Sequence, residues 1–319
     1  MTTIASPPDA ELGPECVQDA LDSVGVHGDG RLLALNSYEN RVYQAWRDDK
    51  PPVVVKFYRP LRWTDEQILE EHVFIDELAR AEVPAVAPLR LEGDTLHRYA
   101  GFRFAVFPRR GGRAPELDRR DTLEQLGRYI ARIHTVGAAK PFAHRPPITV
   151  ATFGDESRAY LLEHGFVPDD LVAAWSTIAD LALDATRRIV DRVDVAAIRL
   201  HGDCHAGNVL WTDAGPHFVD LDDARTGPAV QDLWMLANDE RAMDAVLEGY
   251  RQFRDFDDSE LALIPALRAM RQLHYAGWIA ARWHDPAFPA AFPFVAESRW
   301  WDQHVADLHE LADELGAPS

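Results

Sequence analysis

Cysteine and long apolar runs are both scarce in this chain of 319 residues. Cys16 and Cys204 lie far apart in sequence, so no disulfide framework is indicated and a reducing cytoplasm fits. No apolar run reaches the length that spans a membrane, and the acidic, proline-containing start at residues 1–14 lacks a signal-peptide pattern. We therefore expect a cytoplasmic protein that does not span a membrane.

Basic residues are outnumbered, because 33 Lys and Arg stand against 52 Asp and Glu and give a formal net charge of −19. A surface this acidic repels polyanions, so we expect no nucleic-acid partner. The same charge would suit a cationic substrate, a high-salt habitat or simple solubility. The composition alone does not decide among these three.

The chain up to Phe107 is rich in strand patterns. We expect residues 1–15 to be a mobile terminus and residues 16–107 to form a small first lobe. Its one predicted helix begins with the capping-box pattern Thr64-Asp65-Glu66-Gln67. The predicted elements are a strand pair over 32–43, a strand at Val53–Tyr58, a helix over Thr64–Arg80, and strands at Leu89–Leu91 and Phe102–Val106.

Helical patterns dominate residues 108–319. The predicted helices are Thr122–Val136, Leu171–Val190, Val230–Phe253 and Ser259–Trp283. We therefore predict an α+β fold of two lobes, with a small β-rich N-terminal lobe and a larger, mainly helical C-terminal lobe. A cleft between two lobes is a usual place for a ligand.

Polar residues between positions 201 and 220 form the most specific pattern in the sequence. Asp203 is followed five positions later by Asn208, and Asp220 comes twelve positions after that. The segment 208–219 has the pattern of two strands joined by a tight turn, so we expect Asn208 and Asp220 at the same end of a hairpin.

Phosphoryl transfer from ATP needs one carboxylate to orient the attacking hydroxyl, and an amide oxygen plus a carboxylate to hold magnesium on the phosphates. Asp203 fits the first role, and Asn208 with Asp220 fits the second, because hard oxygen ligands suit Mg²⁺. The pattern therefore predicts a kinase that uses ATP and Mg²⁺, with Asp203 and Asp220 as catalytic residues.

The neighbouring polar residues also have structural interpretations. A zinc site in this loop is disfavoured because adjacent side chains rarely converge on one tetrahedral ion, so His201 is interpreted as a buried ring that braces the loop. Asp222 and Asp223 could approach a second magnesium ion or be solvated turn carboxylates. Asp232 opens a helix and could bond back to the amides of the His201 loop.

Lys56 lies in the apolar strand Val53–Tyr58, where its ammonium needs an anionic partner. ATP phosphates supply such a partner, and a helix carboxylate can hold the lysine in place. Glu71 is on the apolar side of the predicted helix, so we prefer it to Glu70 for this role. A lysine that reaches out to water is the structural alternative.

The bend over residues 36–40 lies where a loop covering phosphates would be expected. It has no glycine, yet its backbone N–H groups and the side chains of Ser37 and Asn40 could face phosphates. Phe107, in the segment that links the lobes, would lie beside an adenine ring. We therefore add Ser37, Asn40 and Phe107 to the predicted nucleotide site.

These residues resemble the aminoglycoside phosphotransferase and choline kinase superfamily, which shares the protein kinase fold. The resemblance extends from about Cys16 into the last helix. It is carried by LNSYENRVYQ (35–44), VVKFYRP (54–60), RWTDEQILEEH (62–72), RLHGDCHAGNVLW (199–211), FVDLDDARTGPAVQDLWML (218–236) and WHDPAFP (283–289). In particular the chain is similar to a bacterial serine/threonine kinase branch that acts in stress responses. The resemblance implies a monomeric, cytoplasmic, ATP- and magnesium-dependent enzyme with a protein-kinase-like fold, with Asp203 as proton acceptor.

The acceptor of the phosphoryl group is less constrained. Only residues 221–229 separate Asp220 from the next predicted helix, which leaves no room for a long activation loop. A small-molecule alcohol is therefore the alternative to a protein serine or threonine. A nucleotide-binding sensor without activity is a third possibility, but Lys56, Asp203, Asn208 and Asp220 are all present and argue against it.

Overall fold

A computed structural model describes residues 12–316, and two lobes are evident in it. The N-terminal lobe is built on one antiparallel sheet of five strands in the order β1-β2-β3-β5-β4. Lys56, on β3, pairs with Val42 of β2 and Ala105 of β5, so it lies in the centre of the sheet. The strands are β1 (Leu32–Leu35), β2 (Arg41–Arg47), β3 (Lys50–Phe57), β4 (His97–Tyr99) and β5 (Phe102–Pro108).

Two helices belong to this lobe, α1 (Pro14–Asp22) and α2 (Asp65–Arg80). Residues 1–11 of the expected mobile terminus lie outside the described residues. The capping box of α2 is confirmed, because the Thr64 side chain accepts from the Gln67 N–H and the Gln67 side chain accepts from the Thr64 N–H. Ile68, Phe74 and Leu78 bury the apolar face of α2.

The strand predicted at Leu89–Leu91 is wrong, and β4 lies at His97–Tyr99 instead. Leu89 donates one backbone hydrogen bond to Val106, but the ladder stops there. Leu91 pairs only with Asp94, across a turn in which Glu92 and Gly93 both have positive φ. The chain therefore reverses before a longer strand can form.

The C-terminal lobe is mainly helical, as predicted. Two short strand pairings interrupt the helices and position the site: β6 (Ile198–Arg199) with β9 (Thr226–Gly227), and β7 (Val209–Thr212) with β8 (Gly215–Phe218). Its helices are α3 (Arg120–Gly137), α4 (Glu156–Glu163), α5 (Val172–Val190), α6 (Gln231–Trp234), α7 (Glu240–Tyr250), α8 (Ile264–Ala281), α9 (Ala287–Ala291) and α10 (Ser298–Gly316).

Two predicted helices have different limits in the structure. The single helix predicted over Val230–Phe253 is wrong, because α6 ends at Trp234 and the Asp239 side chain accepts from the Ala242 N–H to start α7. The helix predicted from Ser259 begins with a 3₁₀ turn over Asp258–Leu263 and becomes α-helical at Ile264. The periodicity of apolar residues does not reveal a break between two helices or a 3₁₀ turn at a helix start, because capping residues also occur inside helices.

The lobes share a continuous apolar core, in which Phe74 and Leu78 of α2 belong to the same cluster as Leu126 and Ile130 of α3. Phe218, at the end of β8, lies in this cluster as well. The β7–β8 hairpin is thus packed against the N-terminal lobe. Within residues 12–316, no helix has the length and apolarity needed to cross a membrane.

Candidate active site

A buried carboxylate binds the backbone of the loop that carries Asp203. Asp232, at the start of α6, accepts hydrogen bonds from the N–H groups of His201 and Gly202, both at 2.8 Å. Its Oδ2 also lies 3.1 Å from Nε2 of His134, which is fully buried. The His201 ring is buried too and contacts the carbonyl oxygen of Val219 through Nε2 at 3.0 Å.

Gly202 is required by the geometry of this loop. Its φ is +87°, and a Cβ at this position would lie 2.0 Å from the carbonyl oxygen of Asp223. A side chain would therefore clash with the backbone and strain the left-handed conformation. The next residue, Asp203, is consequently presented at the loop surface.

Asp203 has one basic side chain beside each of its carboxylate oxygens. Arg271 of α8 donates from Nη1 to Oδ1 at 2.8 Å, and Nε2 of His205 lies 3.4 Å from Oδ2. Burial would raise the pKa of Asp203, but the His205 hydrogen bond and the Arg271 charge outweigh it and hold that pKa below its usual range. Asp203 is therefore an ionised carboxylate that can accept a hydrogen bond from a hydroxyl.

Asn208 and Asp220 leave the same end of the β7–β8 hairpin, where the Val219 N–H donates to the Asn208 carbonyl at 3.0 Å. Nδ2 of Asn208 donates to the Asp203 carbonyl oxygen at 2.9 Å, which leaves the amide Oδ1 free to bind a cation. Asp220 has a half-exposed side chain and a φ of +55°. One amide oxygen and one carboxylate oxygen thus face the cleft together, a donor set that fits Mg²⁺.

Lys56 reaches this point from the N-terminal lobe. Its Nζ lies 3.0 Å from Asp220 Oδ1, 3.0 Å from Asp222 Oδ1 and 3.8 Å from Glu71 Oε1. Burial lowers the pKa of Lys56, but the three carboxylates raise it well above its ordinary value. Lys56 therefore stays charged.

The structure places Glu71, not Glu70, beside this lysine. Glu71 is buried and also bonds Arg145 at 3.1 Å, and burial raises its pKa. Glu70 points elsewhere and accepts from backbone N–H groups of residues 143–145.

A cavity of about 430 Å³ lies in the cleft between the lobes. The side chains of Asp203, Asn208 and Asp220 line it, and Ser37 lines it from the loop between β1 and β2. One wall belongs to α8 and its surroundings: Arg271, His274, Tyr275, Trp278 and Phe292. Residues predicted from far-apart segments of the sequence therefore converge on one cleft.

Comparison with known proteins agrees with this geometry. Residues 31–264 match the model of the phosphotransferase enzyme family, APH. The chain belongs to this family. It is therefore a phosphotransferase that moves a phosphoryl group to a hydroxyl.

Two relatives match this phosphotransferase over almost its whole length. "Stress response kinase A" of Escherichia coli (strain K12) is 46% identical over 312 residues, which are 96% of this chain and 94% of that protein. "Serine/threonine protein kinase RdoA" of Salmonella typhimurium (strain LT2) is 45% identical over 312 residues, with the same shares covered.

Solved structures share the fold at lower identity. The amicoumacin kinase hAmiN, in complex with AMP-PNP, Ca²⁺ and Ami, has a TM-score of 0.70 at 19% identity and covers 90% of this chain and 89% of its own. A microcompartment-associated aminopropanol kinase has a TM-score of 0.71 at 17% identity, with 94% and 95% covered. The protein-kinase-like fold expected from the sequence is thus confirmed.

Asp222 of this phosphotransferase is not a solvated turn carboxylate. It is buried, bonds Lys56 at 3.0 Å and Asn40 at 3.2 Å, and pairs with Arg62. Burial would raise its pKa, but Lys56 and Arg62 outweigh burial and lower it. Asp223, one residue on, is partly exposed and pairs with Arg62 at 2.7 Å.

Asn40 and Phe107, which were predicted to bind the nucleotide, do not line the cavity. The Asn40 side chain is buried, donates to Asp222, and accepts from the Arg59 N–H at 3.1 Å. It braces the loop, and Ser37 is left to face the cavity. Phe107 is half-buried on β5, and its ring meets His72 edge-on at 6.4 Å.

Three residues of this site carry no signal in the sequence pattern. Glu39, in the loop over the cavity, accepts from Trp278 and pairs with Arg282, just after α8, at 2.7 Å. Arg62 joins the N-terminal lobe to Asp222 and Asp223. Arg271 of α8 pairs with Asp203. No spacing rule links these residues, because each contact joins segments that are far apart in sequence.

Proposed function

We propose that the chain is an ATP- and Mg²⁺-dependent serine/threonine protein kinase that acts in a bacterial stress response. The observation that carries this proposal is the convergence of Asp203, Asn208 and Asp220 on one cavity, with Lys56 paired to Asp220 at its edge. The names of the relatives support the stress-response role and the protein acceptor. We further propose a monomeric, cytoplasmic enzyme whose residues 16–107 bind the nucleotide and whose residues 108–319 carry the catalytic loop.

Each side chain has one task in the proposed reaction. The ionised Asp203 accepts a hydrogen bond from the attacking hydroxyl and takes its proton as the hydroxyl oxygen bonds to the γ-phosphorus. The bond from that phosphorus to the bridging oxygen of ATP breaks in the same step, and ADP leaves. Lys56, held by Glu71, pairs with phosphate oxygens. His201, Gly202 and Asp232 keep Asp203 in place, so that positioning supplies much of the acceleration.

The metal site fits its proposed ion. Asn208 and Asp220 would hold Mg²⁺, which when bound supplies positive charge to the phosphate oxygens. In the described part of the chain, Asp220 Oδ1 is engaged by Lys56 and its Oδ2 has no hydrogen-bond partner. Asp220 can therefore keep Lys56 near the phosphates while it binds the metal.

A small-molecule alcohol kinase is the second candidate. Structural neighbours named as amicoumacin and aminopropanol kinases favour it, as does the short segment between Asp220 and α6. Both candidates need the same residues on the nucleotide side. They differ only in what enters the acceptor side of the cavity.

One experiment separates the two candidates. The enzyme is incubated with γ-labelled ATP and Mg²⁺, once with cell protein and once with a pool of small metabolites. We expect label on protein serine or threonine, and none with Asp203→Asn or Asp220→Asn. Label that appears only in a small alcohol would contradict the protein-kinase proposal and establish the second candidate.

A further inference from the structure

A second cavity opens beside the catalytic one. It has a volume of about 470 Å³ and lies between α8 and α10. Arg271 and Tyr275, one turn apart on α8, line both cavities. Arg271 is also bonded to Asp203, so one residue of the second cavity directly contacts the proposed proton acceptor. We call this second cavity, lined by Trp234, Arg268, Arg271, Gln272, Tyr275, Asp307, Glu310, Leu311 and Glu314, the α8–α10 groove.

The carboxylates of the catalytic cavity already have cationic partners. Within residues 12–316, each acidic side chain that lines it has a cationic partner from the protein itself. Asp203 pairs with Arg271, Asp220 and Asp222 with Lys56, Asp223 with Arg62, and Glu39 with Arg282. The ammonium group of a small amino alcohol bound against Asp203 would therefore compete with cations that the protein itself supplies.

The α8–α10 groove has the opposite character. Glu310 and Glu314 are exposed, lie one turn apart on α10, and have no cationic partner in the described part of the chain. Like charges at this spacing destabilise a helix slightly, so a cation placed between them would be favoured. A cationic group of the substrate would therefore bind Glu310 and Glu314 in the groove, beside the site of the reacting hydroxyl.

The length of the groove suits an extended chain. Arg268 and Tyr275, which both line it, are seven positions apart on α8, or about 10 Å along the helix axis. That distance matches about three residues of extended polypeptide. Trp234 and Leu311 add apolar surface for a side chain, and the free donors of Arg268 and Arg271 suit backbone carbonyl groups.

We propose that the α8–α10 groove binds the polypeptide segment next to the phosphorylated serine or threonine, and that Glu310 and Glu314 select a basic residue in that segment. This inference rests on the proposed protein-kinase function. The proposed substrate is a polypeptide in which a Lys or Arg lies a few positions from the phosphorylated serine or threonine.

The test uses a charge reversal on an exposed helix face. The variant Glu310→Lys with Glu314→Lys is compared with Asp302→Lys and Asp313→Lys, two exposed acids of α10 that do not line the groove. Both variants change the net charge equally. The probes are two degenerate serine-centred peptide libraries, one with a fixed Lys and one with a fixed Gln, scanned over the flanking positions.

We expect wild type to prefer the Lys library at one or two positions, with kcat for the two libraries similar. The groove variant should lose this preference through a roughly tenfold higher KM, the size of two weak exposed ion pairs. The control variant should keep the preference. Wild-type ATP affinity is expected in both.

Two outcomes would overturn the inference. An equal loss in the control variant would mean that bulk charge, not the groove, sets the preference. An unchanged preference in the groove variant would mean that the groove does not bind the peptide. If wild type labels neither library but does label a small alcohol, the proposed function itself fails.

Discussion

Asp232→Asn is predicted to damage both stability and turnover, and the two losses have separate controls. The aspartate is fully buried, and both of its oxygens accept backbone N–H groups from the catalytic loop at 2.8 Å. Asparagine keeps one oxygen, so one buried N–H, that of Gly202 or His201, faces an amide NH₂ and loses its acceptor. An unpaired buried donor costs about 1–3 kcal/mol.

The remaining hydrogen bonds also weaken, because a neutral acceptor replaces a charged one. We therefore expect unfolding free energy to fall by about 3 kcal/mol in total. With an m-value of about 3 kcal/mol/M, the urea midpoint should drop by about 1 M. Misplacement of Asp203 by a fraction of an ångström should lower kcat by roughly 10–100-fold while ATP affinity stays near wild type.

Glu260→Gln serves as the matched control. Glu260 is also a buried carboxylate of the C-terminal lobe, and it accepts from the Val230 N–H at 2.8 Å, next to the same helix. Glutamine can keep this bond, and no residue of the catalytic loop is involved. We expect a smaller midpoint shift and wild-type kcat. Wild-type turnover in Asp232→Asn, or an equal loss of kcat in Glu260→Gln, would refute the anchoring argument.

Three further predictions follow from particular contacts. Asp220→Asn should abolish the Mg²⁺ dependence of ATP binding in calorimetry, and an unchanged dependence would exclude Asp220 as a ligand. Burial lowers the pKa of His304 to about 4, so protonation of this histidine favours the unfolded chain as the pH falls from 6.5 toward 4. The free energy of unfolding should therefore fall by about 3 kcal/mol between pH 7 and pH 4 on account of His304. His304→Phe should remove this part of the acid destabilisation, as measured by urea titrations at the two pH values. Cys204 is fully buried and burial raises its pKa, so thiol reagents should leave it unmodified in the native enzyme by mass spectrometry, and rapid native labelling would contradict the structure.

Much of this site was predictable because its residues are close in sequence. The spacing of Asp203, Asn208 and Asp220 belongs to one loop and one hairpin, whose shape follows from local turn chemistry. Lys56 was predictable for another reason: a charge in a β-branched strand must be paired. The Thr64 cap of α2 likewise needs only four residues to form.

The partners that complete the site were not predictable in this way. Arg271 reaches Asp203 across 68 positions, and Asn40 reaches Asp222 across 182. Such contacts depend on how helices pack between lobes, and a single sequence carries no local signal for them. The wrong strand at Leu89–Leu91 has a related cause, since a short apolar run cannot show whether a neighbouring strand edge is free to pair.

The structure also changes what the net charge of −19 implies. From composition, an acidic surface could attract a cationic alcohol into the catalytic cavity. The carboxylates there are instead paired with Lys56, Arg62, Arg271 and Arg282, which reduces the negative charge that the proposed substrate, polyanionic ATP, would meet. Beyond about 8 Å the surface field is screened at physiological salt. The proposed selection of a basic substrate therefore requires close contact with unpaired acids, which Glu310 and Glu314 of the α8–α10 groove supply.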